Sequence, residues 1–156
     1  MTYVIDGLAA APYRAYSGMT EAELVARNAV RMEVDAAPGY PCRIALEDAV
    51  PGETVILLNH VSRDDATPYR ASHAIFIREG ADEAARYIDE VPPVFGSRVL
   101  SLRAFDRDGM MIDACLSQPG NAHHDLVALF ANAAVTEIDA HNAIRGCFSA
   151  RARRTS

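Results

Sequence analysis

Apolar and polar positions alternate with period two through most of this chain, in short runs separated by glycine, proline, asparagine and aspartate. Such runs predict strands, because successive side chains of an extended backbone point to opposite faces. They fall near residues 3–8, 29–35, 54–62, 73–79, 98–105, 110–117, 136–143 and 147–153. Asp108-Gly109 lies between two of them and offers the positive φ of a tight hairpin turn. Three helical stretches interrupt the strands. In TEAELVARN, residues 20–28, Thr20 and Glu23 have the spacing of a capping box. A second helix is expected over about 82–89, ended by Pro92 and Pro93. The third opens at Asn121 and repeats Leu126, Leu129, Phe130 and Ala133 along one face. Strands joined by tight turns are antiparallel, and helices that interrupt them rather than alternate with them define an α+β class. The expectation is a mostly antiparallel β-sheet with about three helices, in a single compact domain over residues 1–156.

Composition narrows the chemistry. A net charge of −6 argues against a nucleic-acid footprint, which needs a surplus of positive charge on one surface. The basic cluster Arg151, Arg153 and Arg154 reads as a solvated, frayed tail from about residue 151. No apolar run approaches the roughly 20 residues that cross a bilayer, and the opening MTYVIDGLAAAPYR lacks the pattern of a secretory signal. Three cysteines, at 42, 115 and 147, fit a reducing compartment better than a disulfide framework, so a cytoplasmic location is expected. All fifteen cationic side chains are arginine. Without lysine, Schiff-base catalysis, a pyridoxal anchor and a P-loop are excluded.

Candidate chemistry gathers at AHNAIRGCF, residues 140–148. In the strands on either side, Glu137, Asp139, His141, Cys147, Ser149, Arg151 and Arg153 occupy odd positions, and apolar residues the even ones. A three-residue loop of Ile144, Arg145 and Gly146 keeps both apolar sets on one side. It sets His141 opposite Ser149 and makes His141 and Cys147 diagonal neighbours, with Asp139 next along the same face. A Cys147-His141-Asp139 line of nucleophile, base and orienting carboxylate is geometrically conceivable; so is a partly exposed hairpin face with no catalysis. A helix over 137–145 capped by Gly146 is the competing reading. Cys42 and Arg43 form a second candidate, since arginine beside cysteine can activate a thiol or bind an anion bidentately. His60 and His73 flank the polar loop bearing Arg63, Asp64, Asp65, Tyr69 and Arg70, and share a face if their hairpin pairs with an odd sum. Two histidines do not complete a zinc site, so no metal and no cofactor is expected. Cys115 reads as core filling.

Four segments, GYPCRIALEDAVPGE, PYRASHAIFIRE, LSLRAFDRDGMMIDA and HNAIRGCFSAR, in this order, resemble a bacterial family described as domain of unknown function 1203. The resemblance implies one small bacterial domain without accessory parts, and no activity. Cys42, Arg43, Tyr69, Arg70, His141, Asn142, Gly146 and Cys147 keep the family pattern. Ala45 stands where many members carry a second cysteine, and His73-Ala74 where Gly-Pro is frequent, so neither a Cys-x-x-Cys role nor a family-wide role for His73 is implied here.

Two functions remain, the first preferred because arginine, asparagine and neutral imidazole recognise ligands without further activation. One is a binding domain for a small anionic ligand or a protein, with Arg43, Arg70, His141 and Asn142 lining its pocket beside Cys42, Tyr69 and Arg145. The other is a thiol-dependent hydrolase or acyl-transfer enzyme using Cys147 or Cys42 with His141. A homodimer by pairing of exposed strand edges or by face packing is compatible with both.

Overall fold

The computed structural model describes residues 2–156. Its strands are β1 (Tyr3–Asp6), β2 (Val30–Glu33), β3 (Thr54–Arg63), β4 (Ala71–Arg78), β5 (Arg86–Ile88), β6 (Leu100–Phe105), β7 (Met111–Ser117), β8 (Glu137–Asn142) and β9 (Phe148–Arg154). There are two helices, α1 (Glu21–Val25) and α2 (Ala122–Phe130), and two 3-10 turns, Ala11–Tyr16 before α1 and Pro93–Phe95 between β5 and β6. Every named strand pairing is antiparallel, so the chain is an α+β domain of mostly antiparallel sheet. Six strands form one sheet in the order β5-β1-β9-β8-β6-β7, and three form a second in the order β2-β3-β4.

Local signals account for much of this. Both bonds of the capping box at α1 are made, Glu23 N to Thr20 Oγ1 and Thr20 N to the Glu23 carboxylate. Gly109 turns β6 into β7 at φ 79°, with the Asp106 carboxylate accepting from the Asp108 and Met110 amides. The expected helix over 82–89 is not formed. Residues 86–88 are instead β5, whose Tyr87 packs on the core while Val4 pairs with Ile88. Helix-forming residues yield there because β1 would otherwise expose an unpaired edge beside a buried core. The tail is not frayed either: β9 continues to Arg154, whose guanidinium donates to the carbonyls of Phe130, the last residue of α2, and of Asn132 and Val135 beyond it.

The first core lies on one face of the large sheet, where Leu100, Leu102, Ala104, Ile138, Ala140, Ala150 and Ala152 meet Leu126, Leu129 and Phe130 of α2. The second lies under the small sheet, where Ile56, Leu58, Ile75 and Ile77 meet Leu24, Cys42 and Ile44. Gly7 sits where the two halves touch. A Cβ there would lie 1.9 Å from the Ile44 carbonyl oxygen, and that oxygen is held by the Ala85 amide. Gly7→Ala is expected to cost about 2 kcal/mol, as overpacking against backbone does. Unchanged urea unfolding in that variant would show that the approach is looser than the structure has it.

Candidate functional site

The odd-numbered face of β8 and β9 is polar in sequence but is not a solvent face. The histidine end of the small sheet covers it, so Asp139 and His141 are each 2% exposed. Two β-bulges shape this contact. In β8–β9 the pairs Glu137–Arg153, Ile138–Ala152, Asp139–Arg151 and Ala140–Ala150 follow the expected register, after which His141 pairs with Phe148 instead of Ser149. The extra residue turns Phe148 onto the inter-sheet face, with its ring centroid 5.8 Å from that of His141 and 5.7 Å from that of His60. The reversal then takes residues 143–146, with Gly146 at φ 80°. In β3–β4 the register slips between Val61 and Arg63, which brings Arg63 onto the face His60 occupies.

His60 and His73 pair directly across β3 and β4 and so share a face. His73 stands edge-on to His141, ring centroids 4.8 Å apart. The Tyr13 hydroxyl lies 3.2 Å from His60 Nδ1. Among the described residues no three of His, Cys, Asp and Glu converge as metal ligands. His141 Nδ1 is 3.0 Å from the Gly146 carbonyl, which can only accept. The ring proton is therefore on Nδ1, and Nε2 carries the lone pair. Burial pushes this imidazole down to about 4, and the Arg103 charge adds to the effect against the Gly146 bond. Burial also lowers His60, helped by Arg151, and His73, helped by Arg103. All three rings are neutral at pH 7.

Asp139 does not orient His141. Its carboxylate accepts from Arg151 Nε and Nη2 and from Arg63 Nε, and Arg63 reaches on to Glu137 and Asp65 while lying 3.7 Å over the Phe105 ring. Burial acts to raise the Asp139 carboxyl, but the Arg151 and Arg63 interactions outweigh it and hold it below the usual carboxylate range. The orienting group for the imidazole is the Gly146 carbonyl of the turn, and the carboxylate belongs to an inter-sheet ion network.

Cys147 is half-buried in the turn immediately before β9, and its Sγ is 3.2 Å from Arg43 Nη2 and 3.5 Å from Asn142 Nδ2. Arg43 is 2% exposed and donates also to the carbonyls of Phe148, at the bulge, and Pro41. It is thus an internal clamp, in contact with Cys147 but not with solvent. Cys42 is buried, its sulfur accepting from the Ala45 and Arg78 amides, so it offers no accessible nucleophile. Tyr69 packs edge-on to Phe105, and Arg70 is exposed beside Asp64. Phe105 pairs with Glu137, four residues and roughly 13 Å along β8 from His141. Neither Tyr69 nor Arg70 is brought to the cysteine. Arg145 is exposed at the hairpin tip. A groove of about 310 Å³ lined by Tyr13, Ile44, Ile56 and Ile77 lies along the small sheet, but its lining includes neither a cysteine nor a histidine. The chemistry is with the imidazoles.

Arg103 belongs to this site and escapes the sequence pattern. It lies on β6, which pairs with β8 across a long chain separation, so that Ser101 faces His141 and Arg103 faces Asp139. Its odd position in the strand is the only local signal.

A family model described as Protein of unknown function (DUF1203) matches residues 39–154. Comparison with curated proteins and with solved structures gives no match.

Proposed function

The chain belongs to the DUF1203 family of unknown function, and we propose that it is a thiol-dependent enzyme of the hydrolase or acyl-transfer class, with Cys147 as nucleophile. One observation carries this reading. The Arg43 guanidinium is buried with no carboxylate partner among the described residues, and its contacts are two carbonyls and the Cys147 sulfur. Burial works against the Arg43 charge, and the nearby Cys147 sulfur supports it. Arginine stays protonated in proteins, so a buried one is complemented by a group that can become negative. Arg43 is placed to stabilise charge as it develops on Sγ during attack.

In this reading Sγ adds to a carbonyl carbon. The thiol proton passes through an imidazole nitrogen to the leaving group, whose bond to carbon breaks. Water or a second acceptor then cleaves the thioester and restores the thiol. His141 Nε2, unprotonated at pH 7, is the acceptor the tautomer makes available.

Alkylation by iodoacetamide, followed at each cysteine by mass spectrometry in native and urea-unfolded protein at one pH, tests the proposal. Native Cys147 is expected to react several-fold faster than unfolded Cys147, and buried Cys42 more slowly than its unfolded counterpart. A native Cys147 slower than the unfolded one would overturn it. A binding domain is the second reading, favoured by the absence of an imidazole hydrogen-bonded to Sγ among the described contacts. It predicts that Cys147→Ser leaves ligand binding intact.

A further inference from the structure

Most arginines here are matched by carboxylates: Arg31 with Glu21 and Glu79, Arg78 with Glu47, Arg98 with Asp48. Arg103 is not. It is half-buried, its one side-chain bond runs from Nε to Ser101 Oγ at 3.2 Å, and no carboxylate lies within ion-pair distance among the described residues. The acid that should complement it is adjacent, since Asp139 faces Arg103 across β6 and β8. Both Asp139 oxygens, however, are taken by Arg151 and Arg63. The terminal nitrogens of Arg103 are therefore left as an open fork, the geometry that carboxylate and phosphate groups accept bidentately.

Its surroundings are suited to an anion. His141 faces Ser101, and the His73 ring lies against His141. His73 Nε2 is buried without a hydrogen-bond partner. A buried polar atom left unpaired costs about 1–3 kcal/mol, and in a site it marks a place where a ligand atom is accommodated. Leu116, across from Ser101 on β7, is 61% exposed and forms an apolar rim. The groups facing this position from β4, β6 and β8 are neutral imidazoles, a hydroxyl and one cation, while the nearest carboxylate is neutralised twice over.

We propose that Arg103, with His73 and Ser101, is the anion-recognition end of the site, so that the molecule presented to Cys147 carries a carboxylate or phosphate group. The role of Cys147 rests on the thiol-enzyme reading; the anion site does not.

The test is a titration of the imidazole carbon-bound proton resonances of the five histidines at pH 7.5, with inorganic phosphate and separately with succinate, against chloride at matched ionic strength. Saturable shifts are expected at His73 and His141 and not at His123 or His124. They are lost in Arg103→Gln and kept in Cys147→Ala. The anion that gives the shift distinguishes phosphate from carboxylate recognition. Shifts equal at all five histidines, shifts that survive Arg103→Gln, or no saturable shift with either anion in the wild type would overturn the proposal. The wild-type titration stands even if Arg103→Gln fails to fold. A Cys147 that is sluggish toward iodoacetamide beside an intact phosphate or succinate response would remove the enzyme reading and leave the anion site standing.

Discussion

Replacing Asp139 with alanine is expected to destabilise the protein by about 3–5 kcal/mol, the scale for removing one member of a buried ion network. The carboxylate is 2% exposed and joins Arg63 of the small sheet to Arg151 of the large one. Its loss would leave Arg63, 4% exposed, with only Asp65 and Glu137 at its edge, both more open to water. Arg151 would keep the Ser62 carbonyl and a 3.6 Å approach to Glu137. Asp139→Asn preserves shape and should recover only part of the loss, because the missing quantity is charge. Urea unfolding of the two variants measures this. A cost below about 1 kcal/mol for Asp139→Ala would mean that the network behaves like surface ion pairs, screened and dispensable.

The second large effect is acid destabilisation above the range where carboxylates titrate. The His141 imidazole is held down to about 4 from an ordinary value of 6.5. Between these values the unfolded chain binds a proton that the native protein refuses, so native stability falls as pH drops from 6.5 toward 4. At about 1.4 kcal/mol per pH decade, His141 alone accounts for about 3 kcal/mol. His60 and His73 are lowered too and act with the same sign. Below this window the Asp139 carboxylate, held under its usual range, begins to protonate and removes the ion network as well. Unfolding free energies at pH 7.5, 5.5 and 4.5 test the window. The decline should be shallower in His141→Asn, and a wild type equally stable at pH 7.5 and 4.5 would refute the assignment.

These expectations separate two kinds of information. The eight strand regions, the Asp108-Gly109 turn, the capping box of α1, the buried Leu126, Leu129 and Phe130 of α2, though not Ala133, which lies past its end and is exposed, and the positive φ of Gly146 are legible in the chain. Each depends on periodicity or on a residue's own backbone preference within a few positions. The even-sum register from Glu137–Arg153 to Ala140–Ala150 follows from the same alternation, because a one-residue slip would expose the apolar set. His141, Asn142 and Cys147 could be singled out for this reason, as close neighbours along one hairpin.

Other features had no local signal. Residues 86–88 carry a helical composition and become β5 because an edge of β1 is available to them. The bulge at Ser149 places Phe148 rather than Ser149 against His141, and it is held from outside the hairpin by Arg43, over a hundred residues away in sequence, through the Phe148 carbonyl. Alternation tells which residues share a face but not what covers it, so the odd face of β8 and β9 read as partly exposed while the small sheet buries it at Asp139 and His141. Which arginine meets Cys147, which two occupy Asp139 and which one remains open beside the histidines follow from pairings between strands distant in sequence, of β6 with β8 and of one sheet over the other. Local periodicity determines the elements and the faces of this protein. The site is decided by tertiary structure, because charge compensation in a buried layer depends on neighbours that only the folded chain brings together.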